Sequence, residues 1–230
     1  MVTYKYAKAD LSSPIDNAAL ASLPAFFRER IGKKKNPEAK AESFLGAKIL
    51  MELLSKCGIS PDSLDFKADE NGRPYTEKKV TVQKENTLPI HFFNKEDEKK
   101  HSAEKNAKID FNISHSRGEV AVALSVGEDA RVGIDIEQIE RRNQKMLAER
   151  WFSENEFSFF EDNGCSPIAF TKIWTRKEAM LKFTGEGIVK DLSRADIFRL
   201  PPHLEFTEIT DADGCIITIC HRKGEKINKL

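Results

Sequence analysis

The chain has no charge of one sign in excess: 37 Lys and Arg residues are balanced by 37 Asp and Glu. That balance argues against a bulk polyanion as the main partner, so no nucleic acid is expected, though a local basic pocket is still allowed. No stretch approaches the roughly eighteen apolar residues a membrane span needs. The N-terminal segment MVTYKYAKAD shows no signal-peptide pattern, and a cytoplasmic protein is expected. Cysteines are few. Cys57, Cys165, Cys215 and Cys220 form no CxxC pair and have no histidine at zinc-site spacing, so they read as reduced thiols. His91 and His101 also lack metal-ligand companions.

What the chain does have is enough length for a core, with 230 residues of which 40% are hydrophobic. The stretch Phe170 to Phe183, FTKIWTRKEAMLKF, organises the rest. Phe170, Ile173, Trp174 and Leu181 recur at helical spacing and predict one buried stripe. Glu178 and Lys182 project from one flank of that helix, as an ordinary surface ion pair or as part of a site. Lys177 falls within the apolar stripe, so its stem is buried and its ammonium must find a partner or snorkel.

In chain order, Val2, Tyr4 and Tyr6 alternate with polar residues and predict a strand. One helix is expected over Ala18 to Ile31, carrying Arg28 and Arg30, followed by Lys33, Lys34 and Lys35 as a solvated loop or an anion site. Asn36-Pro37-Glu38 opens a second helix that runs to Cys57, with Gly58 as its stop. A short strand over Leu64–Phe66 leads to a turn with Arg73 at its tip. Residues 84–108 change in composition, and Asn94 to Lys108 is expected to be a mobile insertion without core residues. Ile109 to Ser116 and Glu119 to Val126 predict a hairpin joined by Arg117-Gly118, which puts Ser114 and His115 at a strand end. Ser153-Glu154-Asn155-Glu156 is a capping box. Thr184 to Ile188 is expected to be a glycine loop. Leu192–Leu200, Glu205–Ile209 and Ile216–Cys220 are further strand candidates, the last following an Asp213-Gly214 turn.

The stretch Val132 to Glu137 carries the second signal. Val132, Ile134 and Ile136 alternate on one face, with Gly133, Asp135 and Glu137 on the other. Asp and Glu are poor strand residues, and two like charges on one side need a compensating cation. The glycine beside them would let a ligand approach the backbone. Asp135, Glu137 and Glu178 together, without Cys or His, suit a hard cation with oxygen ligands, Mg²⁺ rather than Zn²⁺.

Three ordered motifs then carry a resemblance. FNISHS (Phe111–Ser116), GIDIE (Gly133–Glu137) and WTRKEAMLK (Trp174–Lys182), with the turn Gly72-Arg73-Pro74, are similar to the signature of the 4′-phosphopantetheinyl transferases. The chain length resembles the long, surfactin-synthetase-activating type. The resemblance implies an α+β fold with two similar α/β halves in one chain, here 1–130 and 131–230, the active site between them. It implies a monomer that moves the 4′-phosphopantetheine arm of coenzyme A to a serine of an apo acyl or peptidyl carrier protein, in fatty-acid, polyketide or nonribosomal-peptide synthesis.

By motif position, Asp135, Glu137 and Glu178 would hold Mg²⁺, and Glu178 would serve as general base. Lys182 would bind phosphate, Ser114 and His115 would contact the phosphates of coenzyme A, and Arg73 would lie near the nucleotide. The family usually places an arginine where Glu42 stands here. The 3′-phosphate contact is therefore expected from Arg28, Arg30, Lys33–Lys35, Lys40 or Lys48. The same carboxylates also suit a Mg²⁺-dependent nucleotide or pyrophosphate hydrolase, and a non-catalytic module binding coenzyme A or a carrier is the third reading.

Overall fold

The computed structural model describes residues 1–77, 80–82, 105–140, 144–185, 192–212 and 214–230. Most of the charged insertion, with His91 and His101, lies outside the described residues, as do Arg141, Arg142, Asp213 and the glycine loop beyond Gly185.

The fold is mixed α+β. Two sheets lie back to back, with one long helix on each outer face. The first sheet has the order β10-β1-β6-β5-β4 and comprises β1 (Val2–Lys8), β4 (Val80–Val82), β5 (Lys105–Ser116), β6 (Glu119–Gly127) and β10 (Ile227–Lys229). Strand β10 comes from the far end of the chain and pairs parallel to β1; the other pairings in this sheet are antiparallel. The second sheet is antiparallel, with β7 (Gly133–Gln138), β9 (Cys215–Arg222) and β8 (Leu204–Ala212) in that order. A small ribbon of β2 (Phe66–Ala68) and β3 (Pro74–Thr76) carries the Arg73 turn.

The layering follows from the residues of β6. Val120, Val122 and Leu124 point into a core filled by Leu50, Leu53 and Leu54 of helix α3 (Pro37–Lys56). Ala121 and Ala123 on the opposite face are small enough for the second sheet to approach, and they pack with Ile134, Ile136, Ile217 and Ile219. Helix α6 (Pro167–Thr184) covers the outer face of the second sheet against β7 and β9. Its Thr175 and Thr218 of β9 share a buried 2.8 Å hydrogen bond. Arg117 and Gly118 both have positive φ, at 51° and 85°, the conformation a tight two-residue hairpin needs.

Several elements differ from expectation. The single helix expected over Ala18 to Ile31 is two, α1 (Asn17–Ala21) and α2 (Ala25–Gly32), because Pro24 lacks the N–H that would continue the first and instead precedes the second. Strand β5 begins at Lys105, four residues before Ile109, and is paired there with Val80–Val82. Leu192–Leu200 forms no strand; it makes two 3-10 turns, Leu192–Arg194 and Ile197–Arg199. The remaining helices are α4 (Gln144–Trp151) and α5 (Glu154–Asp162). The capping box at the start of α5 is formed, and its Glu156 also receives Lys177 at 2.5 Å, both side chains being fully buried. Lys177 therefore finds a carboxylate partner inside the protein rather than snorkelling.

Candidate active site

The site is built on a seam between the two sheets. Asp110, Asn112, Ser114 and Ser116 are every second residue of β5, so one face of that strand is polar. These side chains reach across to β7 and the residue before it. Asp110 accepts the Val132 N–H at 2.8 Å, and Asn112 accepts the Ile134 N–H at 3.0 Å. Ser114 donates to Asp135 at 2.8 Å and Ser116 to Glu137 at 2.7 Å. Side chains thus satisfy backbone and acidic groups where the two sheets meet without a backbone ladder.

The acidic face of β7 is not solvated. Asp135 is 3% exposed because α6 lies over it. Lys182, from the last turn of α6, gives its ammonium to Asp135 Oδ1 at 2.6 Å and to Ser114 Oγ at 2.9 Å. Asp135 Oδ2 is buried with no hydrogen-bond partner. Glu178, one turn before Lys182, has its carboxyl pushed up to about 7, first by burial and then by the Asp135 charge; Lys182 opposes the shift and Glu137 adds to it. Burial and Asp135 also push Glu137 up, against the pull of Ser116, Lys182 and Arg117. Two carboxyls raised first by burial stand beside a third whose one oxygen is buried and bare and whose other is met by Lys182. That donor set fits a hard cation. Among the described residues no three His, Cys, Asp or Glu groups converge as a preformed cage, so an ion here needs substrate oxygens or water to complete its shell.

Beside the acidic group is a cleft of about 530 Å³, lined by Arg30, Lys34, His115 and Lys182 together with Phe27, Ile31, Pro74 and Leu181. A larger cavity of about 980 Å³ lies behind α6, among Phe152, Leu192, Arg194 and Arg199; neither cavity is lined by the three acidic residues, and the larger one lacks Lys182 and His115 as well. The smaller cleft is the chemically relevant one because it joins cations to Lys182. His115 is half-exposed at its edge, with Nδ1 3.0 Å from Glu42 Oε2.

The structure gathers Asp135, Glu137, Glu178, Lys182 and Ser114 at the seam and sets His115 and Arg73 beside them. Arg28 is not with them: its guanidinium donates to the Ala21 carbonyl at 2.9 Å and does not line the cleft, because it caps the end of α1. Arg30 and Lys34 take its place, and of Lys33 to Lys35 only Lys34 is among the lining residues. Arg73 is no exposed turn tip. It forms a two-bond pair with Asp110, both at 2.9 Å, and also donates to the carbonyls of Val132 and Lys182, clamping β5, the start of β7 and the end of α6. Gly133 has a different role from the one expected. A Cβ there would lie 2.0 Å from the Ala179 carbonyl oxygen, so the glycine admits the backbone of α6, not a ligand. Sequence reasoning marked Glu42 only as a departure and missed its contact with His115, and it missed Asp110, for which the period-two polar pattern of β5 was the available signal.

Comparison with known proteins points the same way. Residues 131–222 match the model of the 4′-phosphopantetheinyl transferase superfamily, a segment that holds Asp135, Glu137, Glu178 and Lys182. A Haemophilus influenzae protein provisionally named a 4′-phosphopantetheinyl transferase is 45% identical over 85 residues, 36% of either chain. The Bacillus pumilus 4′-phosphopantetheinyl transferase psf-1 is 41% identical over 88 residues, 36% of this chain and 35% of its own. The Paxillus involutus 4′-phosphopantetheinyl transferase pptA is 24% identical over 206 residues, 82% of this chain and 69% of its own. The chain thus covers only about a third of the length of these two bacterial relatives.

Proposed function

We propose that this protein transfers the 4′-phosphopantetheine arm of coenzyme A to a serine of an apo acyl or peptidyl carrier protein and releases adenosine 3′,5′-bisphosphate. The observation that carries the reading is Asp135, with one carboxylate oxygen on Lys182 and the other buried and unpartnered, beside a cation-lined cleft. The names of the matched relatives support it.

Asp135, Glu137 and Glu178 would hold Mg²⁺. When bound, that ion supplies neutralisation of the pyrophosphate's charge. Arg30, Lys34 and His115 would receive the phosphates of the nucleotide, and Phe27, Ile31 and Pro74 offer an apolar surface for the base. Arg73 acts on the site indirectly, since its guanidinium is spent on Asp110 and main-chain carbonyls and holds Lys182 in place. In the transfer, the serine oxygen bonds to the phosphorus bearing the pantetheine arm, and the bond from that phosphorus to the bridging pyrophosphate oxygen breaks. Glu178 accepts the serine proton. Lys182 lies where charge grows on the departing phosphate.

We further propose two α/β halves, 1–130 and 131–230, with the last strand of the second returning to the sheet of the first, in a chain of the long, surfactin-synthetase-activating type. We propose a monomer. No helix among the described residues is long and apolar enough to cross a membrane; we place the protein in the cytoplasm. The test is release of adenosine 3′,5′-bisphosphate from coenzyme A. Release that requires apo carrier supports the transferase; release without carrier contradicts it and favours a hydrolase.

A further inference from the structure

Glu42 is an acid buried beside a cleft whose charged side chains are mostly cationic. It is 5% exposed on α3, and a carboxylate so placed must be paired. One oxygen accepts the N–H of Gly118 in the β5–β6 turn at 2.7 Å. The other lies 3.0 Å from Nδ1 of His115 at the end of β5. A carboxylate only accepts hydrogen bonds, so a proton on Nδ1 is the one that faces Glu42, and Nε2 is the nitrogen left to the cleft that His115 lines.

We infer that Glu42 is a positioning residue: it fixes the ring of His115 with a proton on Nδ1, so that a protonated Nε2 meets a phosphate of the bound coenzyme A. A negative charge behind the ring favours its doubly protonated form, in which Nε2–H donates to an anionic oxygen while Nδ1–H faces Glu42. Glu42 does not touch the ligand; its effect runs through His115. The inference rests on the proposed function and goes beyond it by assigning a role to the residue that departs from the family's usual arginine.

The merely structural alternative is that Glu42 anchors the hairpin through Gly118. Glu42→Gln separates the two, because the amide carbonyl still accepts from Gly118 while its NH₂ no longer accepts from His115. The experiment is calorimetric titration of coenzyme A into the wild type, Glu42→Gln, His115→Ala and the double variant, with thermal melts to check folding. Glu42→Gln is expected to weaken binding about three- to tenfold, and to change it less than about twofold once His115 is Ala. An unchanged affinity in Glu42→Gln, or the same loss in both backgrounds, would overturn the inference while leaving the proposed function intact. Absence of binding by the wild type would overturn the proposed function itself, and the inference with it. A second measurement needs no variant: the ¹⁵N signals of His115 in the coenzyme A complex should show protons on both ring nitrogens, and a ring protonated at one nitrogen only contradicts the assignment.

Discussion

Lys182 and Asp135 meet at 2.6 Å across the seam between α6 and β7, and this contact leaves the second oxygen of Asp135 buried and bare. The lysine is thus the main charge compensation for an acid held under a helix, with Ser114 assisting. Lys182→Met removes it. The metal-free variant is expected to lose about 1–3 kcal/mol in urea unfolding, at the modest end for a buried pair because Lys182 is partly exposed. Added Mg²⁺ should recover more stability in the variant than in the wild type. Equal stability of the two proteins without metal would show that Asp135 does not depend on Lys182.

Glu178 gives a pH dependence of definite sign. Its carboxyl is raised from 4.5 to about 7 in the folded protein. The folded state therefore binds the proton more tightly than the unfolded chain. The stabilisation is fully present below the unfolded value and is lost as pH rises through about 7. In metal-free buffer, the melting temperature of the wild type relative to Glu178→Gln should fall between about pH 5 and about pH 7.5. Parallel curves would mean that the carboxyl titrates normally.

Gly133 and Gly127 make a matched pair on consecutive strands. A Cβ at Gly133 would meet the Ala179 oxygen at 2.0 Å and the Phe183 nitrogen at 2.6 Å, both backbone atoms that cannot rotate away, whereas a Cβ at Gly127 meets nothing within 4 Å. Gly133→Ala is expected to cost about 3 kcal/mol or more, since α6 must lift from β7, and to displace Glu178 with the helix. Gly127→Ala should stay within about 0.5 kcal/mol of the wild type. Similar effects in the two variants would refute the close packing of α6.

These relationships show what the sequence reveals and where it stops. Helix α3 is legible because its start is local, Asn36 accepting the Glu38 N–H at 2.8 Å, and α6 because Phe170, Ile173, Trp174 and Leu181 recur at helical spacing. The acidic residues of β7 and the α6 flank are legible as a set because period two and period 3.6 each fix a face. Partners distant along the chain are not. Nothing local says that Arg73 answers Asp110, that Glu42 answers His115, or that Gly133 admits a helix. Lys177 lies between these cases: its position in the stripe demanded a partner, but only the fold identifies Glu156. The break at Pro24 was legible in principle; helical periodicity across it concealed the missing N–H.

The central claim is tested most directly by intact-mass spectrometry of an apo acyl carrier protein incubated with this protein, coenzyme A and Mg²⁺, beside an EDTA control and Glu178→Gln. The account predicts that the carrier gains the mass of one phosphopantetheine arm, that EDTA abolishes the gain, and that Glu178→Gln loses it while keeping its fold. An unmodified carrier across a panel of acyl, peptidyl and aryl carriers, with coenzyme A still bound, would contradict the account.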